Sequence, residues 1–142
     1  MLDYIGRTVL IVDDYDEAVT FYRDKLGFEV LFDAAIGNGY RAVHVGLPGG
    51  KGAGLWLKEA RDPASRQRLG NQVGGGPFLV VYTSDCRAAC RQLEERGVRI
   101  LKQPHEEPGS VFAHFEDLYG NELVLVELTG DGAAAQQAAP DL

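Results

Sequence analysis

The chain opens with two hydrophobic patterns of different period. The stretch GRTVLIVDD, residues 6–14, is apolar and rich in β-branched residues, and it predicts a strand that ends in an acidic turn. Apolar residues then recur at the spacing i, i+3, i+4 and i+8, which predicts an amphipathic helix. They are Ala18, Phe21, Tyr22 and Leu26. Gly27 follows, as expected at a helix C-terminus, and FEVL begins another strand.

The same order of patterns occurs a second time. Residues 77–101, PFLVVYTSDCRAACRQLEERGVRIL, again give an apolar run, an acidic turn, a helical pattern, a terminal glycine and a strand. Two further strand candidates follow each copy: YRAVHVGL and AGLWLKEA after the first, SVFAHFED and NELVLVEL after the second. The repeated unit is therefore βαβββ, and this duplication predicts the fold better than local propensity does.

The duplication also divides the chain into segments. The predicted segments are a first unit at 5–60, a linker at 61–77, a second unit at 78–128 and a tail at 131–142, with residues 1–130 forming one domain. The linker contains a short helix capped by Asp62, with Pro63 at its first position. The Pro-bounded stretch QPHEEPGS is predicted as a loop that leaves Glu106 and Glu107 solvated. The tail is small and polar, so we expect it to be frayed.

Charge and hydropathy argue against several kinds of partner. The 142 residues carry a net charge of −7 that is spread along the chain, which disfavours binding to a phosphate backbone. No apolar stretch approaches the roughly 20 residues that a membrane span needs. The N-terminus has no basic region ahead of its apolar run. We therefore expect a cytoplasmic protein with neither nucleic acid nor membrane as a partner.

The motifs at the two ends of the duplication resemble those of a known family. DYDEAVTFYRDKLGFEV in the first unit and DLYGNELVLVE in the second resemble the glyoxalase, bleomycin-resistance and extradiol-dioxygenase superfamily, also called vicinal oxygen chelate proteins. Leu118 and Tyr119 replace the usual Pro-Asp, which alters the turn but not the strand. The resemblance implies an α+β fold in which two tandem βαβββ units form a curled, cup-like mixed sheet with helices outside.

The resemblance also implies where a metal would bind. Enzymes of this superfamily place His, Gln or Glu ligands on the first and fourth strands of each unit, around a divalent metal that keeps open positions for substrate. The corresponding positions here are Arg7, Trp56, Leu79 and Val124. None supplies a metal donor, and a guanidinium offers only hydrogen-bond donors. We therefore expect neither a metal nor another cofactor.

Other side chains are candidates for contact with a ligand. A two-residue shift on the last strand would turn Glu122 to the same face as Val124. His44 and His114 each lie inside a predicted strand, although a lone strand histidine is more often a packed or surface group. Tyr40 is a candidate for aromatic stacking. The candidate ligand-binding residues are Arg7, Tyr40, His44, Trp56, Leu79, His114, Glu122 and Val124.

These features favour a metal-free small-molecule-binding protein of the glyoxalase and bleomycin-resistance type. It would sequester an aromatic or antibiotic-like ligand in an apolar cup with one fixed cation. The alternative is a glyoxalase-like lyase or isomerase, or a ring-cleaving dioxygenase, with a divalent metal held by Glu122 and by His44 or His114. A domain that regulates or scaffolds a partner is a third alternative.

The pattern carries two further expectations. Exposed sheet edges and an apolar concave face on each unit favour a homodimer. Arg7, if it points inward, must meet an acid, carbonyl oxygens or an oxygen of the ligand, because an unpaired buried charge costs several kcal/mol. Glu122 is the candidate acid.

Overall fold

Residues 1–49 and 53–137 are described by a computed structural model, and they fall into two compact units. The first unit comprises Met1–Gly74, and the second begins at Gly75. The first contains β1 (Arg7–Val12), α1 (Tyr15–Asp24), β2 (Glu29–Gly37), β3 (Tyr40–Gly46), β4 (Gly54–Glu59) and α2 (Pro63–Arg68). The second contains β5 (Pro77–Tyr82), α3 (Cys86–Glu95), β6 (Ile100–Glu107), β7 (Ser110–Glu116), β8 (Glu122–Leu128) and α4 (Gly130–Gln137). The predicted α+β fold with a duplicated βαβββ unit is confirmed.

Each unit has one open, mixed sheet of four strands. The strand orders are β1-β4-β3-β2 and β5-β8-β7-β6. The first strand of each unit runs parallel to the fourth, and the remaining pairs are antiparallel. The parallel pair is possible because a helix lies in the long connection between its strands. That the two units together form a cup stays a prediction.

Helix α1 covers one face of the first sheet. Asp14 begins it with extended backbone angles, and its carboxylate accepts a hydrogen bond from the Glu17 N–H at 2.8 Å. Tyr22 is fully buried and packs edge to face on Phe28, with ring centroids 5.1 Å apart. The sheet residues buried on this side are Leu10, Val12, Val43, Val45, Leu55 and Leu57. Each contributes roughly 1.5–3 kcal/mol by burial, and the opposite face of the sheet is left open.

Helix α3 covers one face of the second sheet in the same way. Asp85 caps it by accepting from the Ala88 N–H at 3.0 Å. Cys86 and Cys90 lie one turn apart on its inner face and are buried as free thiols. Burial raises the pKa of the Cys90 thiol to about 12. These cysteines are core residues and are poor nucleophiles near neutral pH. No helix in residues 1–49 and 53–137 has the length and apolar content to span a bilayer.

The free edge of β1 is occupied by a side chain from the linker. Gln72 Oε1 accepts from the Ile11 N–H at 2.9 Å, and Gln72 Nε2 donates to the Val9 carbonyl oxygen at 2.9 Å. The amide thus makes both of the hydrogen bonds that a neighbouring strand would make. Such a contact blunts an edge against pairing with another chain.

Two segments differ from the sequence expectation. The predicted loop at QPHEEPGS is strand as far as Glu107, because Pro104 falls in an irregularity of the β6–β7 pairing, where no ladder N–H is required. The tail was expected to be frayed, but its first part forms α4. The Thr129 N–H donates to the Gly109 carbonyl at 2.9 Å and so ties α4 to the β6–β7 turn. Residues 138–142 lie outside the described residues.

Candidate ligand-binding site

The open face of the first sheet carries a row of mostly apolar side chains. Strand pairing sets Val9 beside Trp56, Trp56 beside His44, and His44 beside Phe32. Val9, Trp56 and Phe32 are 41%, 44% and 47% exposed. The His44 ring centroid is 5.7 Å from that of Trp56 and 5.7 Å from that of Phe32. We call Val9, Phe32, His44 and Trp56 the aromatic row.

Arg7 lies beside the aromatic row on the same face. It pairs with Gly54, which is two residues from Trp56 on β4 and therefore on the same face. Arg7 Nε donates to His44 Nδ1 at 3.1 Å, and Arg7 Nη1 donates to the Gly6 carbonyl at 2.7 Å. Burial, and then the positive charge of Arg7, lower the pKa of His44 below its usual 6.5. His44 is therefore neutral near pH 7.

The second sheet has a more polar row in the matching place. Pairing sets Val80 beside Val124, Val124 beside His114, and His114 beside Lys102. His114 Nδ1 is 3.2 Å from Glu122 Oε1, and both side chains are 24% exposed. Two of the residues proposed from sequence, His114 and Glu122, are thus brought together. Glu122, the expected acid for Arg7, has this histidine as its partner.

Further ring contacts continue along β6 and β7. The Phe112 ring centroid lies 5.9 Å from that of His114 and 5.6 Å from that of His105. Lys102 Nζ lies 4.8 Å from the centroid of the Phe112 ring, a distance at which a cation is attracted to an aromatic face. The open face of the second sheet therefore alternates rings with charged groups.

Two predicted residues lie elsewhere. Leu79 pairs with Leu123, which pairs with Phe115, and both of these are buried under α3. The expected inward position is therefore wrong by one residue, because the β5–β8 register shifts between Pro77 and Leu79; Val80 is the residue beside Val124. Tyr40 begins β3, and its ring has the Arg61 guanidinium carbon 5.1 Å from its centroid.

The sequence interpretation missed part of the aromatic row. Phe32 and Val9 were not proposed, although both are exposed apolar residues next to proposed ones. The signal was weak in the case of Phe32, because the β2–β3 register shifts between Val30 and Phe32 and breaks the simple alternation of faces. Val9 was recognisable, since it is two residues from Arg7 on one strand.

The side chains do not fit a divalent metal of the kind that the superfamily's enzymes use. In residues 1–49 and 53–137, no group of three or more His, Cys, Asp or Glu side chains is placed to hold a metal ion. His114 and Glu122 are two protein ligands, whereas catalytic zinc sites use three.

Comparisons with known proteins agree with the fold. The family model of the Glyoxalase/Bleomycin resistance protein/Dioxygenase superfamily matches residues 4–125. An uncharacterized protein of Shewanella frigidimarina is 36% identical over 129 residues, covering 90% of this chain and 96% of that protein.

Two solved structures add to this likeness. A superfamily member from Sphaerobacter thermophilus has a TM-score of 0.73 at 31% identity, covering 89% of this chain and 98% of its own. TnmS3, an antibiotic binding protein from Streptomyces sp. CB03234, has a TM-score of 0.73 at 27% identity, covering 90% and 98%. The duplicated fold is therefore shared with a protein whose role is to bind an antibiotic.

Proposed function

We propose, from the premise that this chain belongs to the Glyoxalase/Bleomycin resistance protein/Dioxygenase superfamily, that it is a metal-free binding protein which sequesters an aromatic or antibiotic-like small molecule. The aromatic row is the observation that carries this proposal. Small-molecule sites are mostly apolar with a few directional polar groups, and the row with Arg7 has that composition. The antibiotic binding role of TnmS3 supports the same function.

The energetics of the row favour a flat ligand. Val9, Trp56 and Phe32 lie in one row on one face, with His44 between Trp56 and Phe32, and each leaves close to half of its surface in water. A ligand that covers them gains roughly 25 cal/mol for each Å² of apolar surface removed from water. Stacking on an aromatic ring adds about 0.5–1.5 kcal/mol beyond that area. An aromatic ligand therefore gains more here than an aliphatic one of equal size.

A thermal-shift screen against antibiotics and aromatic metabolites tests the proposal. A ligand at 100 times its Kd is expected to stabilise the folded chain by about 2.7 kcal/mol, which raises the Tm by several degrees. Trp56 is the only tryptophan of the chain, so its fluorescence reports binding at the row directly. Trp56→Ala should weaken binding by about 10-fold.

The matched control for that substitution is Leu118→Ala, which removes an exposed apolar side chain from the β7–β8 turn. It should leave affinity unchanged. A screen in which no compound stabilises the protein would contradict the proposal and would favour a role in scaffolding a partner.

An enzyme of the lyase or dioxygenase type is the second candidate function. The contact between His114 and Glu122 is the observation in its favour, because both are possible metal ligands. That function requires a divalent ion that survives dialysis and is lost in Glu122→Leu. We expect elemental analysis to find no stoichiometric metal, and we expect no turnover of methylglyoxal hemithioacetal. A tightly held metal would reverse the order of the two candidates.

We also infer that the protein is a homodimer. The apolar side chains of Leu2, Tyr4 and Ile5 precede β1 and are largely exposed, and a second copy is the simplest cover for them. Because Gln72 occupies the edge of β1, we expect the copies to meet through side chains rather than through that edge. Sedimentation at micromolar concentrations checks the inference, and a single species of monomer mass would exclude it.

A cytoplasmic location completes the proposal. Cys86 and Cys90 are free and buried, as is usual where thiols are kept reduced. Cell fractionation tests this inference, and recovery of the protein from an extracellular fraction would contradict it.

A further inference from the structure

The partner of His44 fixes which hydrogen bonds its ring can offer. A guanidinium has donors and no acceptor, so the Nδ1 atom that receives the Arg7 Nε–H carries no proton. The proton of the neutral ring is therefore on Nε2. His44 Nε2–H and the N–H groups that Arg7 does not use on His44 and Gly6 are hydrogen-bond donors beside the aromatic row.

The corresponding histidine of the second unit has the opposite polarity. His114 lies beside Val124 as His44 lies beside Trp56. Its Nδ1 faces Glu122, whose ionised carboxylate has acceptors and no donor. Nδ1 of His114 must then donate, and Nε2 of the neutral ring is an acceptor. The donor character of His44 is thus set by Arg7 and is not a general property of the repeated unit.

The charge of Arg7 is not neutralised by an acid of its own unit. Within the described part of the first unit its polar partners are a ring nitrogen and a carbonyl oxygen, both uncharged. Arg41, also in this unit, differs in pairing with both Asp16 and Asp33. Arg7 is therefore a cation at the aromatic row with no acidic partner among the described residues of its unit.

We propose that the ligand of this face is an aromatic molecule that carries a carboxylate or another oxyanion, held by Arg7 and by His44 Nε2–H while its ring covers Trp56 and Phe32. This inference rests on the proposed function and adds the chemical class of the ligand. Charge-assisted hydrogen bonds to an anion are stronger than neutral ones. An aromatic cation meets only donors and a like charge at the same place, so the face selects against it.

Two probes with one ring system and opposite charge test the proposal. They are 2-naphthoate and 2-naphthylmethylammonium, titrated by calorimetry into the full-length protein at pH 7.5 and low salt. We expect naphthoate to bind about 10-fold or more tightly than the ammonium probe. Arg7→Met should weaken naphthoate binding about 10- to 100-fold and should not weaken binding of the ammonium probe.

Variants of His44 separate its hydrogen bond from its ring. His44→Phe keeps an aromatic side chain in the row and removes the donor, so it should weaken naphthoate binding by several-fold. His44→Gln restores an N–H donor and should recover part of that loss. The matched control is Arg23→Met, which removes a guanidinium from α1 on the covered side of the sheet and should change neither affinity.

A measurement without ligand checks the contact on which the donor assignment depends. Arg7→Met removes a positive charge that helps to lower the pKa of His44, so an NMR titration should show this pKa rising toward 6.5. Burial, the larger cause, remains in the variant. A His44 pKa that is the same in both proteins would overturn the assignment.

The outcomes separate this inference from the proposed function. If naphthoate binds and depends on Arg7, both are supported. If the ammonium probe binds as tightly as naphthoate, or if the screen finds only cationic ligands, the oxyanion inference is overturned while a small-molecule function stands. If neither probe binds and no compound in the screen stabilises the protein, both the oxyanion inference and the small-molecule-binding function are overturned.

Discussion

Replacement of Asp117 by alanine is expected to lower the free energy of unfolding by about 3 kcal/mol or more. Asp117 is buried in the β7–β8 turn, with 4% of its surface exposed. Its Oδ1 accepts from the N–H groups of Tyr119 at 3.0 Å and Asn121 at 2.9 Å, and its Oδ2 accepts from Asn121 Nδ2 at 3.0 Å. Alanine leaves these donors without this acceptor. Each buried donor that loses its partner costs roughly 1–3 kcal/mol.

Asp117→Asn is the matched control. It keeps one acceptor oxygen of the same shape, so the two backbone N–H groups of the turn retain their partner. We expect a smaller loss of unfolding free energy than with alanine. Urea unfolding measures it, provided that the dependence of the free energy on urea concentration has the same slope in both variants. Equal losses for the two variants would show that the hydrogen bonds contribute little to stability and that the negative charge, which both variants lack, decides the effect.

The fold was predictable because its signals are local and repeated. Gly27 and Gly97 each end a helix in which apolar residues follow the helical period, and both adopt positive φ angles of 77° and 81°. Asp14 and Asp85 begin those helices as N-caps. These features need no long-range information. Since they occur twice in the same order, the sequence alone predicted the duplication, without any knowledge of strand pairing.

The candidate site was less predictable because it depends on pairing register. Arg7, His44 and Trp56 were proposed one by one, and only the alignment of β1, β4 and β3 brings them together. Glu122 was the candidate acid for Arg7, with carbonyl oxygens or a ligand oxygen as alternatives, yet each of the two has a histidine as its side-chain partner. Single-sequence patterns predict the face of a strand residue but not its neighbour across the sheet. Register irregularities, as at Leu79, then shift even the face.

A second structural feature beside Arg7 also escaped the sequence patterns. Gly54 and Gly46 are neighbours across β4 and β3, and the side chain of Leu31 lies over both. A Cβ added to Gly46 would be 2.7 Å from Leu31 Cδ1, and one added to Gly54 would be 2.8 Å from the same atom. The two glycines thus leave the space that Leu31 fills at the Arg7 end of the aromatic row.

Alanine at Gly54 is therefore expected to destabilise the protein by about 1–3 kcal/mol, and alanine at Gly46 by less than about 1 kcal/mol. The difference arises from what the new methyl group meets. At Gly54 it would also lie 2.8 Å from the Val45 carbonyl oxygen, which belongs to a paired strand and cannot move alone. At Gly46 it meets only Leu31, whose side chain can rotate toward solvent. Replacing glycine also restricts the unfolded chain, which offsets about 0.4–1 kcal/mol in both variants.

Urea unfolding of the two variants measures the difference directly. Each variant is the control for the other, because both add one methyl group beside Leu31. Equal stabilities would show that the β3–β4 backbone adjusts freely at this point.

Displacement of Leu31 in Gly46→Ala has a further consequence for the ligand-binding site. Leu31 lies at the Arg7 end of the aromatic row, so we expect its displaced side chain to interfere with an oxyanion held by Arg7. The variant should then keep most of its stability while losing affinity for an oxyanion-bearing ligand. A stable Gly46→Ala protein with full affinity would place the ligand away from Leu31 and confine it to Trp56 and Phe32.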